Sequence, residues 1–427
     1  MPKTSVFEPL FDAGLQSINF FNGRLLSAED LKTEKTAARD ERRRLGRAIG
    51  DGVAEGLEVR DADVSSKDNP TVTVTGGLAI NRLGETIWLP SETDVSLLTV
   101  RPTVGGVRIV EPFDYCKPPQ AGTYRAGAGV DLLAIRRTSG GKGRAPVSGL
   151  GNEAASCNVR YLVEGVQFVL VPLPVDSLLD DIARLRNRLA CACLGVDGDL
   201  ARITDLLGAP DAADVVAALR AAGGITDCDV PLAVIYWTTD GTQFVDMWAV
   251  RRRPATTGGT VDQLTEPAVI ARGEARLRQF EAQLAETIAQ AGSPSALDAR
   301  TTFAFLPPAA FLPITGVRAD GTHLRPATGA SVRRALDYER FFGSRMKVEP
   351  RVIEGARLGP LVRESLTCPP IDLRNDQMFW LFAVRENMQA VERGENVAPY
   401  LVVASPHLRY QADARFDVSQ WDYANFV

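Results

Sequence analysis

Apolar and polar residues change period several times along this chain, and each change marks an element. From Ser27 to Ile49 the apolar positions are sparse. Leu31, Ala38 and Leu45 recur at intervals of seven, and Ile49 adds one more step. Charge fills most of the remainder, with Lys32, Glu34, Lys35, Arg39, Asp40, Glu41, Arg42, Arg43, Arg44 and Arg47. Ser27 with Asp30 three residues later is a capping box, and Gly50 stops the helix. So narrow a stripe is closer to a coiled-coil seam than to a core-facing band. It predicts a helix that hides little of itself in its own domain and pairs with another helix.

The pattern then shortens. A strand is expected at Gly56–Arg60. Thr71–Thr75 alternates strictly, as a half-buried strand does. A turn at Gly76-Gly77 leads to Leu78–Ile80 and, through Gly84, to Thr86–Leu89. Residues 101–160 are loop-rich, with Ser139-Gly140-Gly141-Lys142-Gly143 among them and a strand at Val130–Ile135. Tyr161–Val171 is a second strand, apolar enough from Val166 onward to be covered on both faces. Asp176 is the expected cap of a helix carrying Leu178, Ile182, Leu185 and Leu189. A shorter helix spans Asp211–Ala222. Val230–Trp237 and Gln243–Arg251 form a hairpin across Asp240-Gly241. The longest helix opens at Glu266-Pro267, runs to about Ala291, and carries Leu277, Phe280, Leu284 and Ile288 as a second narrow stripe suited to pairing between chains. Prolines force Phe305–Pro313 into an extended, packed segment. Phe379–Val384 and Tyr400–Val403 are late strands, and the end of the chain is aromatic, with Phe416, Trp421, Tyr423 and Phe426.

Hairpins outnumber strand–helix–strand alternations, so the expected class is α+β, with small, mainly antiparallel sheets and two long charged helices. Two or three domains follow from 427 residues. The expected division is 1–100 (helix and small sheet, for docking), 101–265 (central, mixed) and 266–427 (long helix, β-rich, aromatic tail).

The first quarter of the chain carries a family resemblance. Its residues are Phe20-Phe21-Asn22-Gly23-Arg24-Leu25-Leu26, then Glu29-Asp30-Leu31, the strand Gly56-Leu57-Glu58-Val59, and the hairpin from Gly77-Leu78-Ala79-Ile80 to Leu89-Pro90. This set resembles the N-terminal part of uncharacterised proteins associated with phage-tail-like contractile injection systems. Members often carry Gly-Val-Val-x-Gly-Leu before the strand, and Ala54 departs from that pattern. The resemblance implies a tail- or baseplate-like structural role with other such proteins as partners. It brings no catalytic residue.

Composition narrows the function classes. A net charge of −5 does not supply the dense basic face that phosphate neutralisation needs, so no nucleic-acid partner is expected. No run approaches the ~20 apolar residues of a membrane span, and no basic-then-apolar leader precedes Glu8 and Asp12. Six cysteines in so long a chain predict scattered free thiols and no disulfide scaffold. Synthesis and assembly in the cytoplasm are expected, and release within a particle is compatible with that.

Few residues of the chain point to chemistry. The only histidines, His323 and His407, are far apart. Cys191-Ala192-Cys193 has a metal-like spacing without a second pair to complete four ligands, so neither a metal nor another cofactor is expected. Ser139-Gly140-Gly141-Lys142 matches a serine–lysine motif in letters only, because that motif needs a helical turn. Asp246 lies inside an apolar strand and needs a cationic partner, with Arg251–Arg253 nearby in sequence. The reading reached is a non-catalytic connector or attachment module, expected to be a homo-oligomer. Its interaction residues would be Phe20, Phe21, Arg24, Leu31, Ala38, Leu45, Trp421, Tyr423 and Phe426. Two alternatives stand beside it. One is a glycan or cell-surface module with Trp237, Trp248 and Trp421 as a platform. The other is a carboxylate-dependent hydrolase.

Overall fold

The computed structural model describes residues 15–66, 70–97, 129–145, 158–195, 215–238, 240–255, 267–292, 294–312, 314–315, 336–342, 348–373, 379–393 and 401–404. It is an α+β protein of small, mainly antiparallel sheets. Helix α1 (Ala28–Ile49) is followed by two three-stranded sheets: β1 (Gly52–Gly56) with β4 (Gly77–Ile80) and β5 (Thr86–Leu89), and β2 (Val59–Asp61) with β3 (Thr71–Val74) and β6 (Thr93–Ser96). The strand expected at Gly56–Arg60 is divided. Leu57 has φ 54°, a left-handed conformation that ends β1 and redirects the chain into β2. Arg251 donates to the carbonyls of Gly56 (2.6 Å) and Leu57 (2.8 Å) and holds that corner. Strand β3 is buried on both faces, where one solvated face was expected. Thr73 remains satisfied there because its hydroxyl donates to Asp94 at 2.7 Å.

The central sheet has the order β10 (Gly241–Asp246), β9 (Asp229–Thr238), β7 (Gly129–Ala145), β8 (Asn158–Pro172). The glycine-rich run at 139–143 is strand and not loop. Pairing with β8 continues through it, from Asp131 opposite Pro172 to Ala145 opposite Asn158. Neighbouring residues of this sheet enter two different cores. Leu132 and Val234 join one that is closed by α2 (Leu185–Cys193) and α3 (Val215–Ala221). Leu133, Ile135 and Ile235 join one built with Val53, Leu57, Val72, Val74, Ile87 and Leu89 of the preceding strands. Both faces being covered explains the unbroken apolar runs of β7 and β9.

The helix expected from Asp176 begins later. Asp176–Leu178 and Ile182–Arg184 are single 3-10 turns, and the α-helix starts only at Leu185. Asp181 caps Arg184 and breaks the continuous turn, which leaves Ile182 exposed. The hairpin at Asp240-Gly241 forms as expected, although its second strand stops at Asp246.

Helix α4 (Pro267–Gln290) leads into the last part of the chain. There α5 (Ala299–Thr302), α6 (Tyr338–Phe342), α7 (Gly355–Ser365) and α8 (Arg385–Glu392) surround short strands. β11 (Phe305–Leu306) pairs β16 (Ile371–Asp372), and β13 (Ile314–Thr315) pairs β14 (Leu336–Asp337). A four-stranded sheet has the order β12 (Ala309–Leu312), β18 (Leu401–Ala404), β17 (Phe379–Val384), β15 (Val348–Ile353). Phe280 and Leu284 of α4 sit in a core with Phe303, Leu306, Leu312, Phe341 and Phe342. The stripe of α4 is therefore core, correcting the expectation that it serves pairing between chains.

Candidate interaction site

The first helix is seated by its polar side. Gly46 is the one residue of α1 that is buried. A Cβ built there would lie 2.1 Å from the carbonyl oxygen of Gly84, so helix and β4–β5 turn meet backbone to backbone. Around this contact three arginines converge on buried Glu85. Arg39 and Arg43 of α1 both donate to its Oε1, Arg43 through Nη2 at 2.8 Å, and Arg137 of β7 stands at 3.7 Å. Burial by itself would raise the Glu85 pKa. The hydrogen bond from Arg39 and the charges of Arg43 and Arg39 outweigh that, and the carboxyl is held below its ordinary value. Arg47 adds a bond to the Leu83 carbonyl at 3.3 Å.

With that side occupied, the apolar stripe faces outward. Leu31, Leu45 and Ile49 are 57%, 63% and 57% exposed. Ala38 between them is half-buried. The segment before the helix extends the same kind of surface, because Phe20, Phe21, Leu25 and Leu26 are all exposed. Arg24 buckles that segment to the helix. It donates to the Asn19 carbonyl (2.8 Å) and to Asp30 Oδ1 (3.0 Å), and its guanidinium lies 5.9 Å from the Phe21 ring centroid. The capping box is complete, since Asp30 N–H donates to the Ser27 hydroxyl while the Asp30 carboxylate accepts from Ser27 N–H. That backbone bond, then the Ser27 hydroxyl and Arg24, lower the Asp30 pKa. Six of the expected interaction residues (Phe20, Phe21, Arg24, Leu31, Ala38 and Leu45) thus belong to one continuous stretch of chain. Trp421, Tyr423 and Phe426 lie outside the described residues, as do both histidines.

Glu85 was not among the sequence candidates. Its signal was present only as the phase of Arg39, Arg43 and Gly46, which fall together on one side of the helix, away from the leucines.

Other candidates resolve differently. Asp246 is buried and paired, but its cation is Arg186 of α2, with Nε at 2.8 Å, and not the Arg251–Arg253 run. Gln279 (3.0 Å) and the Ala249 N–H (3.1 Å) also donate to it. Both oxygens of that carboxylate are therefore engaged within the chain. Trp237 is buried, with Nε1 donating to Asp131 at 2.9 Å, so it offers no platform for a sugar. Trp248 is stacked by Arg251 at 5.5 Å. Cys191 and Cys193 are buried and stand outside any disulfide, as expected. Cys228 is disulfide-bonded, against the expectation of a free thiol. Spacing along a chain does not say which sulfurs approach within bonding reach. Among the described residues, no group of three or more His, Cys, Asp or Glu could hold a metal ion, and no helix is long and apolar enough to cross a membrane. A pocket beside Cys191, Arg276, Gln279 and Pro307 has a volume of about 10 Å³, room for one water.

No family model matches this chain, and no curated protein matches it. Among solved structures, it is similar over 65% of its length to 73% of a chain from the type VI secretion system TssK–TssF–TssG baseplate subcomplex, with 12% identity and a TM-score of 0.25. It is also similar over 65% of its length to 50% of TssK in a crystal structure, with 8% identity and a TM-score of 0.25. A TM-score of 0.25 is too low to show a shared fold.

Proposed function

We propose that this chain is a non-catalytic structural component of a phage-tail-like contractile particle. It works there as a connector or attachment module of tail or baseplate type, joined to its neighbours through the exposed face of α1. One observation carries the reading: a helix whose polar side is locked onto its own sheet and whose leucines are turned to solvent. Exposed leucines at regular helical spacing, held on a rigid support, are what a protein-binding face requires. The N-terminal resemblance supports the choice of particle, and other tail or baseplate-like proteins are the partners it suggests.

The test uses a tagged chain expressed in its native host. It should co-sediment with a high-mass assembly containing sheath and tube subunits. The double substitution Leu31→Asp with Leu45→Asp should remove it from that assembly while its own melting temperature is unchanged. A wild-type chain that sediments alone, with a double variant indistinguishable from it, would sink the reading.

A further inference from the structure

We propose that the occupant of the α1 face is a second copy of α1, lying parallel and in register. This rests on the reading above and names the partner of that same face. Around Leu31, Ala38 and Leu45, the seam is completed by Ala28, Lys35, Arg42 and Ile49. The positions 28, 31, 35, 38, 42, 45 and 49 alternate steps of three and four, the spacing of a two-helix seam. All are exposed except half-buried Ala38. Two of them are cations, and each follows a glutamate: Glu34 before Lys35, and Glu41 before Arg42.

That arrangement selects an orientation. In a parallel, in-register pair, the residue preceding a seam position lies beside the same seam position of the facing helix. Glu34 then meets Lys35 of the second copy, and Glu41 meets Arg42 of the second copy, twice over by the two-fold symmetry. An antiparallel pair would instead set Glu34 against Glu41, like charge against like. On the far flank of the seam, Arg39 is already committed to Glu85, so it does not compete for these glutamates. Neither Glu41 nor Arg42 has an ion-pair partner of its own chain among the described residues. A cation at a seam position also suits a pair better than a larger bundle, because its stem can lie along the seam while the charge reaches the rim. The helix needs no ordering on association, because Ser27, Glu85 and the Gly46–Gly84 contact hold it in place beforehand.

The experiment uses the purified full-length chain. Light scattering should report a dimer. Two cysteine variants, Leu31→Cys and Leu45→Cys, are mixed with tags of different size and oxidised. Disulfides should join 31 to 31 and 45 to 45, and mixed 31–45 products should be absent. Glu41→Lys and Arg42→Glu should each weaken self-association on the order of tenfold, and an equimolar mixture of the two should restore it. Mixed 31–45 cross-links would overturn the parallel pair. So would a monomer at high concentration. If that monomer still leaves the native assembly when Leu31→Asp and Leu45→Asp are introduced, the face meets a different protein and the structural reading stands. If the double variant stays in the assembly, both fail.

Discussion

Helices α1 and α4 are close in length, 22 and 24 residues, and each carries a narrow apolar stripe on a charged background. In α4 the stripe faces inward, where Phe280 and Leu284 join a core of phenylalanines and leucines. In α1 it faces outward. Both helices also bring a glycine against another backbone: Gly46 against Gly84, and Gly273 against the Leu366 carbonyl, 2.0 Å from a built Cβ. What separates them is the other side of each helix. That of α1 presents Arg39 and Arg43 to a buried carboxylate, which seats the helix without using its leucines. The width of a stripe therefore does not decide whether it is core or contact. The neighbours that the rest of the chain brings to each side of the helix decide it.

The contrast can be broken most strongly at Phe280. Phe280→Ala should cost about 3–5 kcal/mol, because the ring is 1% exposed within a packed core and its removal leaves a cavity. Thermal denaturation measures it, and a loss under about 1 kcal/mol would remove the distinction between the two helices.

The next effect is local. Gly46→Ala favours the helix itself by about 1 kcal/mol, yet its methyl has no room beside Gly84. The helix should remain formed and leave the sheet, at a docking cost of about 1–3 kcal/mol. Hydrogen exchange along the β4–β5 turn should quicken while the central sheet stays protected. Unaltered exchange there would show that the contact does not matter.

Glu85 gives a pH dependence of known sign. Its carboxyl is held below its ordinary 4.5, so the contribution of the ionised form is complete above that value. It is lost as pH falls below 4.5 through the lowered pKa. Docking of α1, followed by a fluorophore at position 36, should weaken over that range, and Glu85→Gln should weaken docking at neutral pH by about 2 kcal/mol and flatten the profile. A Gln variant with the wild-type acid profile would show that another group is responsible.

The smallest effect is the most telling about α1. Leu45→Ala should change the stability of the separate chain by no more than about 0.5 kcal/mol, as at any exposed position. A loss of 2 kcal/mol or more would mean that the stripe is covered within the chain.

Much of this was readable along the chain. Ser27 with Asp30, the period of seven in α1, the hairpin at Asp240-Gly241 and the proline-bounded strands near 305–312 are local devices, set by the bonds and torsions of neighbouring residues. The candidate face was readable as well, because a stripe of leucines on a helix is a property of spacing. Partners distant in sequence were not. Asp246 takes Arg186, 60 residues away, and not the arginines five to seven residues on. The glycines at 140 and 141 form strand because β8 pairs with them, opposite Val163 and Leu162. Local sequence determined which residues of α1 share a side. Only the tertiary structure decided which side is turned out, because that depends on Glu85 and Gly84 arriving from another element to receive the arginines and the glycine.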